Sequence, residues 1–263
     1  MSVTHTQRVG GIEEAGLDGV VLKPAECDVR AALDLPFERV CIDYEGRAEL
    51  PEAETLAALA RERSLRVTTP VRADGFDPLG DDSLLDTLPS DAKRVLVAGH
   101  PAYLTDDEQA RAVAPRLGAA VETATQPWVG TESVERLAMA AGGVQYELLS
   151  RRTERDLRGL RAAGFDGDVA VYAPTVPTDD EDEILDAVGA YAARRGPVRS
   201  ALPDDAETDS AASGRAREVL SAAVRDYALV GDLGTITERI SALKEAGADL
   251  VVGYPAGGVA TFR

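Results

Sequence analysis

Short apolar runs alternate with longer amphipathic segments along the whole chain, the pattern of a parallel sheet whose strands are joined by helical crossovers. Eight runs read as strands: residues 19–23 (GVVLK), 39–43 (RVCID), 65–69 (LRVTT), 94–98 (RVLVA), 119–123 (AAVET), 144–148 (VQYEL), 168–172 (DVAVY) and 250–254 (LVVGY). Each is too short for a helix and too continuously apolar to leave one face in water, so both faces are expected to be covered. Helices are predicted over 52–63, 106–117, 131–141, 153–163 and 180–194. In 153–163, Leu157 and Leu160 share one face while arginines and glutamates take the other, as a helix covering a sheet requires.

Eight strands with crossovers of this length predict an α/β fold closed into a (β/α)8 TIM barrel, with 1–263 as one domain. An open doubly wound sheet is the alternative, because periodicity does not register closure. An internal repeat favours the barrel. EAGLDGVVL from Glu14, AAGFDGDVAV from Ala162 and EAGADLVVG from Glu245 all run helix end, Gly, Asp, strand. The glycine takes the left-handed conformation that ends a helix and lets the chain turn into a buried strand. The first copy implies a helix over about 6–15 before strand one, filling the slot that a helix after strand eight would occupy. The stretch 198–215 is acidic, rich in Ala and Ser and without period, and reads as an exposed, partly disordered insertion between strands seven and eight. A helix over 216–229 follows, then another started by a capping box at Thr235-Ile-Thr-Glu238.

Length agrees with the barrel, since 263 residues lie near the ~250 typical of that fold. Charge changes the picture more. The net charge is -18, and of 28 basic residues only Lys23, Lys93 and Lys244 are lysine. That balance predicts a halophilic, archaeal-type protein, whose self-repulsion is screened over roughly 3 Å at molar salt. It argues against nucleic acid and anionic membrane as partners, both of which require a basic face. No apolar run reaches the ~20 residues of a membrane span, and MSVTHTQRVGG lacks a signal-peptide core, so a cytoplasmic location is expected. Cys27 and Cys41 have no metal-ligand spacing and read as packing residues.

The segment RDYALVGDLGTITERISALKEAGADLVVGYPAGG, from Arg225 to Gly258, resembles the C-terminal end of luciferase-like monooxygenases, a family of flavin- and deazaflavin-dependent barrel oxidoreductases. The similar features are the small-residue turn at Val230, Gly231, Gly234 and Thr235, the capped helix, and the final strand closing in Gly-Tyr-Pro-Ala-Gly-Gly. IEEAGLDGVVL, from Ile12, is similar to the family's first helix and strand. The resemblance implies a TIM barrel binding FMN or coenzyme F420 and exchanging hydride with a small substrate. The mouth loops are shorter than the family's, and residues 26–130 carry no matching cofactor motif. A cofactor-free barrel serving binding or assembly, and a lyase or isomerase for a phosphorylated metabolite, therefore stay open, as does a homo-oligomeric state.

In such a barrel, function sits where strands end, on the C-terminal face. Lys23, Asp43, Tyr44, Glu45, Arg72, His100, Glu122, Glu147, Tyr172 and Tyr254 lie at or just past predicted strand ends. His100 is the leading proton shuttle or substrate ligand. Asp43, Glu45, Glu122 and Glu147 converge if their strands do, as an acid/base pair or divalent-metal ligands. Tyr254, Gly257 and Gly258 are expected at the cofactor, Tyr254 by stacking and the glycine turn by amides presented to phosphate. Trp128 reads either as a lid over a bound ring or as a wedge between helices. TDDEDE from Thr178 reads as an acidic helix start.

Overall fold

The computed structural model describes residues 11–71, 85–98, 106, 110 and 112–263. Its strands are β1 (Gly19–Leu22), β2 (Arg39–Ile42), β3 (Ser64–Val71), β4 (Lys93–Ala98), β5 (Trp128–Gly130), β6 (Val144–Leu148), β7 (Val169–Val176), β8 (Leu229–Val230) and β9 (Leu250–Pro255). All pair in parallel in the order β6-β5-β4-β3-β2-β1-β9-β7, and a β6–β7 pairing closes the ring of eight. The two-residue β8 joins the C-terminal end of β7 alone, at Thr175 and Val176. The fold is a (β/α)8 TIM barrel, as the alternation of runs predicts.

Side-chain alternation sorts the strands. Val21, Cys41, Val95, Trp128, Tyr146, Ala170, Tyr172, Val252 and Tyr254 cluster inside the ring. Leu22, Ile42, Leu65, Val67, Val171 and Val251 face outward into the helix layer. The helices are α1 (Ala53–Glu62), α2 (Ala114–Thr123), α3 (Glu135–Ala141), α4 (Thr153–Ala162), α5 (Glu181–Ala193), α6 (Gly196–Arg199), α7 (Gly214–Tyr227) and α8 (Leu233–Ala246).

The repeat glycines behave as expected: Gly16, Gly164 and Gly247 all have positive φ, at 95°, 87° and 123°. The aspartates that follow two of them tie strands together. Asp18 accepts from the Val251 amide (2.8 Å) and Asp249 from the Val169 amide (2.7 Å). Asp180 caps α5 through the Asp182 and Glu183 amides, in agreement with an acidic helix start.

Four local expectations are corrected. Residues 119–123 are the last turns of α2, and β5 lies later, at Trp128–Gly130. Ala and Glu favour helix, Pro115 sits in its first turn, and only Leu117 is buried, which leaves 119–123 no second face to cover. The cap of α8 is Asp232, whose carboxylate accepts from the Thr235 amide at 2.7 Å, so Thr235 is inside the first turn. A 3-10 turn, Val259–Phe262, follows β9 and buries Phe262 completely, 6.0 Å from the Phe37 ring. Most residues of 198–215 are exposed, with Val198 and Ala212 buried. A Cβ on Gly189 of α5 would stand 2.2 Å from the Thr208 carbonyl oxygen, so this glycine admits that backbone against the helix. Of the 6–15 helix, the described part is a 3-10 turn, Ile12–Ala15.

A second apolar cluster joins α5 to α7: Ile184, Leu185 and Val188 pack with Leu220, Val224 and Tyr227, with Val176 of β7 among them. Tyr191 of α5 touches both this cluster and the barrel interior, so the packing of α5 on α7 brings its ring to the mouth.

Candidate active site

Four aromatic rings run through the interior to the mouth. Trp128 and Tyr146 have centroids 5.4 Å apart, Tyr146 meets Tyr172 edge-on at 6.1 Å, and Tyr172 stacks on Tyr254 at 6.4 Å with 11° between planes. Lys23, just past β1, holds its Nζ 4.1 Å over the Tyr254 ring and 3.2 Å from Glu26. The Tyr254 hydroxyl donates to Glu26 Oε2. Glu45 accepts the Ala25 amide at 2.9 Å, which ties the loop after β1 to the loop after β2.

Asp43, just past β2, is the inward carboxylate. Thr68 Oγ1 donates to its Oδ1 at 2.9 Å. Burial pushes the Asp43 carboxyl above the usual carboxylate range; the Thr68 bond and Lys23 oppose this, while Glu45 and Glu26 add to it. Burial also holds the Tyr146 and Tyr172 phenols well above their ordinary value, so both stay neutral donors.

The far wall comes from α5. Burial pushes the Tyr191 phenol up to about 12, with Arg195 working against the rise. Arg195 packs over the face of that ring, 4.3 Å from its centroid, and pairs with Glu132 at 3.1 Å. Arg195 acts on the phenol both as a charge and as a hydrogen-bonding neighbour, yet among the described residues neither Tyr191 Oη nor Arg195 Nε, both buried, makes a hydrogen bond of good geometry. Unpaired buried donors are costly and uncommon, and they cluster where a ligand completes them.

The sequence-level candidates fall out unevenly. Asp43, Lys23, Tyr172 and Tyr254 meet at the mouth, whereas His100 and Arg72 lie outside the described residues. Glu122 is exposed on α2 and not at a strand end, because the run that carried it is helix. Glu147 is the last residue but one of β6 and alternates to the outer face, where Thr131 Oγ1 donates to it at 2.5 Å; burial and the neighbouring Glu135, Asp156 and Glu132 raise its pKa. Glu45 is exposed, so the four carboxylates do not converge, and among the described residues no group of three His, Cys, Asp or Glu is placed to hold a metal. Trp128 is neither lid nor wedge between helices: it starts β5 and fills the barrel. Burial raises both thiols, Cys41 to about 12, in keeping with packing roles. Glu26, Thr68, Tyr191 and Arg195 were not legible as site residues, since the first lies in a loop and the last two in and after a helix with no strand-end signal.

A cleft of about 720 Å³ beside the mouth is lined by Val176, Thr178, Glu183, Asp186, Ala256, Gly257 and Thr261 among others. Two amides of the glycine turn are already bonded, Ala256 to Thr175 and Gly258 to Pro255, so the turn presents fewer donors than its sequence suggests. The fit of a flavin-type ring rests instead on the stacked tyrosines and the unpartnered Tyr191 Oη and Arg195 Nε, which match a flat ring with an acceptor-rich edge.

Comparison with solved structures returns F420-dependent enzymes. The coenzyme F420-dependent tetrahydromethanopterin reductase from Methanopyrus kandleri is similar at a TM-score of 0.56 and 15% identity, covering 92% of this chain and 96% of that one. An F420-dependent secondary alcohol dehydrogenase, in complex with an F420-acetone adduct, is similar at 0.60 and 11%, covering 91% and 94%. At these identities the likeness is one of fold. No curated protein matches in sequence. The model of a family of unknown function, DUF7388, matches residues 12–262, and the chain belongs to that family.

Proposed function

We propose that this protein is a luciferase-like oxidoreductase that takes coenzyme F420 or a flavin at the barrel mouth and exchanges hydride with a small substrate. The observation that carries the reading is the pair of unpartnered buried donors, Tyr191 Oη and Arg195 Nε, beside the tyrosine stack. The fold shared with two F420-dependent enzymes over nine-tenths of the chain supports it. When bound, the ring supplies the hydride-carrying centre.

The chain's own residues do the rest. Tyr172 and Tyr254 would give the ring a flat face, and Tyr191 Oη and Arg195 Nε would donate to its acceptor edge. Tyr146, Tyr172 and Tyr254, each buried, exclude water beneath it. Asp43 is the acid/base: Thr68 occupies Oδ1, leaving Oδ2 to hold a proton or release it to the substrate. Its upward-shifted pKa lets the protonated acid persist closer to neutral pH than an ordinary aspartate would. Lys23, held by Glu26, supplies positive charge beside Tyr254.

A second reading, a cofactor-free binding barrel, is favoured by the carboxylates of Glu26, Asp43, Glu45, Glu183 and Asp186 around the mouth and cleft, which repel a phosphate-bearing tail. Purification in molar KCl, a visible spectrum, mass spectrometry of any released chromophore, and thermal shift with added F420 or FMN separate the two. Stoichiometric chromophore or a saturable shift supports the oxidoreductase; neither leaves the cofactor-free barrel.

A further inference from the structure

The opposite end of the barrel carries a charge pattern that runs against the rest of the molecule. Arg39 of β2, Arg66 of β3 and Lys93 of β4 stand at the N-terminal ends of three adjacent strands, with Arg66 paired in register with Lys93 and Ser64 with Arg39. Arg66 shares the strand face of Thr68, which meets inward Asp43, and its guanidinium lies 4.4 Å over the interior Trp128 ring. A Cβ on Gly19 of the neighbouring strand would stand 2.8 Å from Arg39 Cβ, so Arg39 presses on the bare backbone of β1.

Each cation has only neutral company. Arg66 Nη1 donates to Ser64 Oγ at 3.3 Å, Arg39 Nη1 to the Asp18 carbonyl at 3.4 Å, and Lys93 Nζ to Gln126 Oε1 at 2.7 Å. Gln126 adopts a left-handed φ of 47° where it makes this contact. The other two lysines of the chain both have carboxylates, Lys23 with Glu26 and Lys244 with Asp18. A chain with 46 acidic residues thus places three cations together with no carboxylate oxygen among their hydrogen-bond partners in the described residues. Arg66 is only 6% exposed, and its Nε is buried with no partner. Arg39 and Lys93 are half-buried, which keeps the cluster open to solvent. Arg39 and Arg66 depress the Lys93 pKa after burial does, as like charges in mutual range must.

We propose that Arg39, Arg66 and Lys93, with Ser64 and Gln126, form a binding site for a small inorganic oxyanion of the phosphate or sulfate kind at the N-terminal end of the barrel. Planar guanidinium forks match tetrahedral oxyanions in pairs of N–H bonds, and a bound dianion removes the repulsion among the three cations. The site is remote from the mouth and does not depend on how the mouth works.

Trp128, the single tryptophan, lies against Arg66 and reports on it. Intrinsic fluorescence and thermal melting are followed while sulfate or phosphate replaces KCl at constant ionic strength. The expected result is a saturable fluorescence change with a matching rise in Tm, both weakened at least tenfold in apparent affinity in Lys93→Gln and abolished in Arg66→Met. Lys93→Gln keeps the stacked guanidinium, so the comparison survives if Arg66→Met does not fold. A linear response, an equal response to chloride, or an unchanged titration in Lys93→Gln overturns the proposal.

Discussion

Replacing Arg161 by Ala tests how the repeated helix-to-strand turns hold the barrel together. Its guanidinium leaves α4 and donates to the Gly247 carbonyl through Nε (3.1 Å) and Nη2 (2.7 Å), and to the Phe165 and Gly167 carbonyls through Nη1 (3.0 and 2.8 Å). Nη2 also reaches Asp249 at 2.6 Å, the carboxylate that accepts the Val169 amide. One side chain therefore joins two copies of the sequence repeat, from Ala162 and from Glu245, beneath neighbouring strands β7 and β9. Three part-buried carbonyls lose a charged donor at about 1 kcal/mol each, since water reaches a side chain 27% exposed, and the Asp249 pair adds at most a fraction of a kcal/mol. A loss of about 3 kcal/mol is expected, or roughly 6–12 °C in Tm for a domain of this size. Lysine at 161 should not rescue it, because one ammonium cannot serve spread acceptors. Melting followed by circular dichroism, with Arg215→Ala as the exposed control, reads the effect. A drop under about 2 °C, or one equal to the control's, would refute the reasoning.

Glu147→Gln and Asp43→Asn should both raise Tm at neutral pH. Burial raises both carboxyls, so the folded state binds their protons more tightly than the unfolded chain does, and stability declines as pH rises through the unfolded and then the folded pKa. Both gains should vanish below the ordinary carboxylate pKa; a gain that is independent of pH would contradict the assignment. Gly189→Ala should cost about 1–3 kcal/mol by forcing α5 off the Thr208 carbonyl, read as a lower urea midpoint, and a neutral result would show that the loop gives way. Raising KCl from low to molar concentration should raise Tm steadily, as screening relieves a net charge of -18, and a flat response would remove the salt-adaptation reading.

Seven of the eight strands, most of the helices against them and the role of the repeat glycines were legible because burial on both faces and helix termination leave local marks; the helix expected over 106–117 is the exception, since the described helix runs over Ala114–Thr123 and residues 107–109 and 111 lie outside the described residues. The fifth strand was not legible: Trp-Val-Gly is too short to outweigh Ala-Ala-Val-Glu-Thr, whose helical nature shows only in where Pro115 and Leu117 sit. Strand-end positions located Asp43, Lys23 and Tyr254, but Glu147 fell on the wrong face, because one residue of register separates mouth from helix layer. Tyr191 and the cation cluster were beyond reach. The first depends on α5 packing against α7, and the second on three strands aligning, and both are tertiary facts.

The most direct test of the mouth is equilibrium binding of F420 and of FMN, by fluorescence, to the wild-type protein and to Tyr191→Phe. The hydroxyl removed makes no hydrogen bond of good geometry among the described residues, so the variant should be as stable as the wild type or more so, while a ligand bonded to it should lose about 1 kcal/mol, roughly fivefold in Kd. Weaker binding with undiminished Tm is the predicted result. No binding to the wild type, or identical affinity in the variant, would contradict the account.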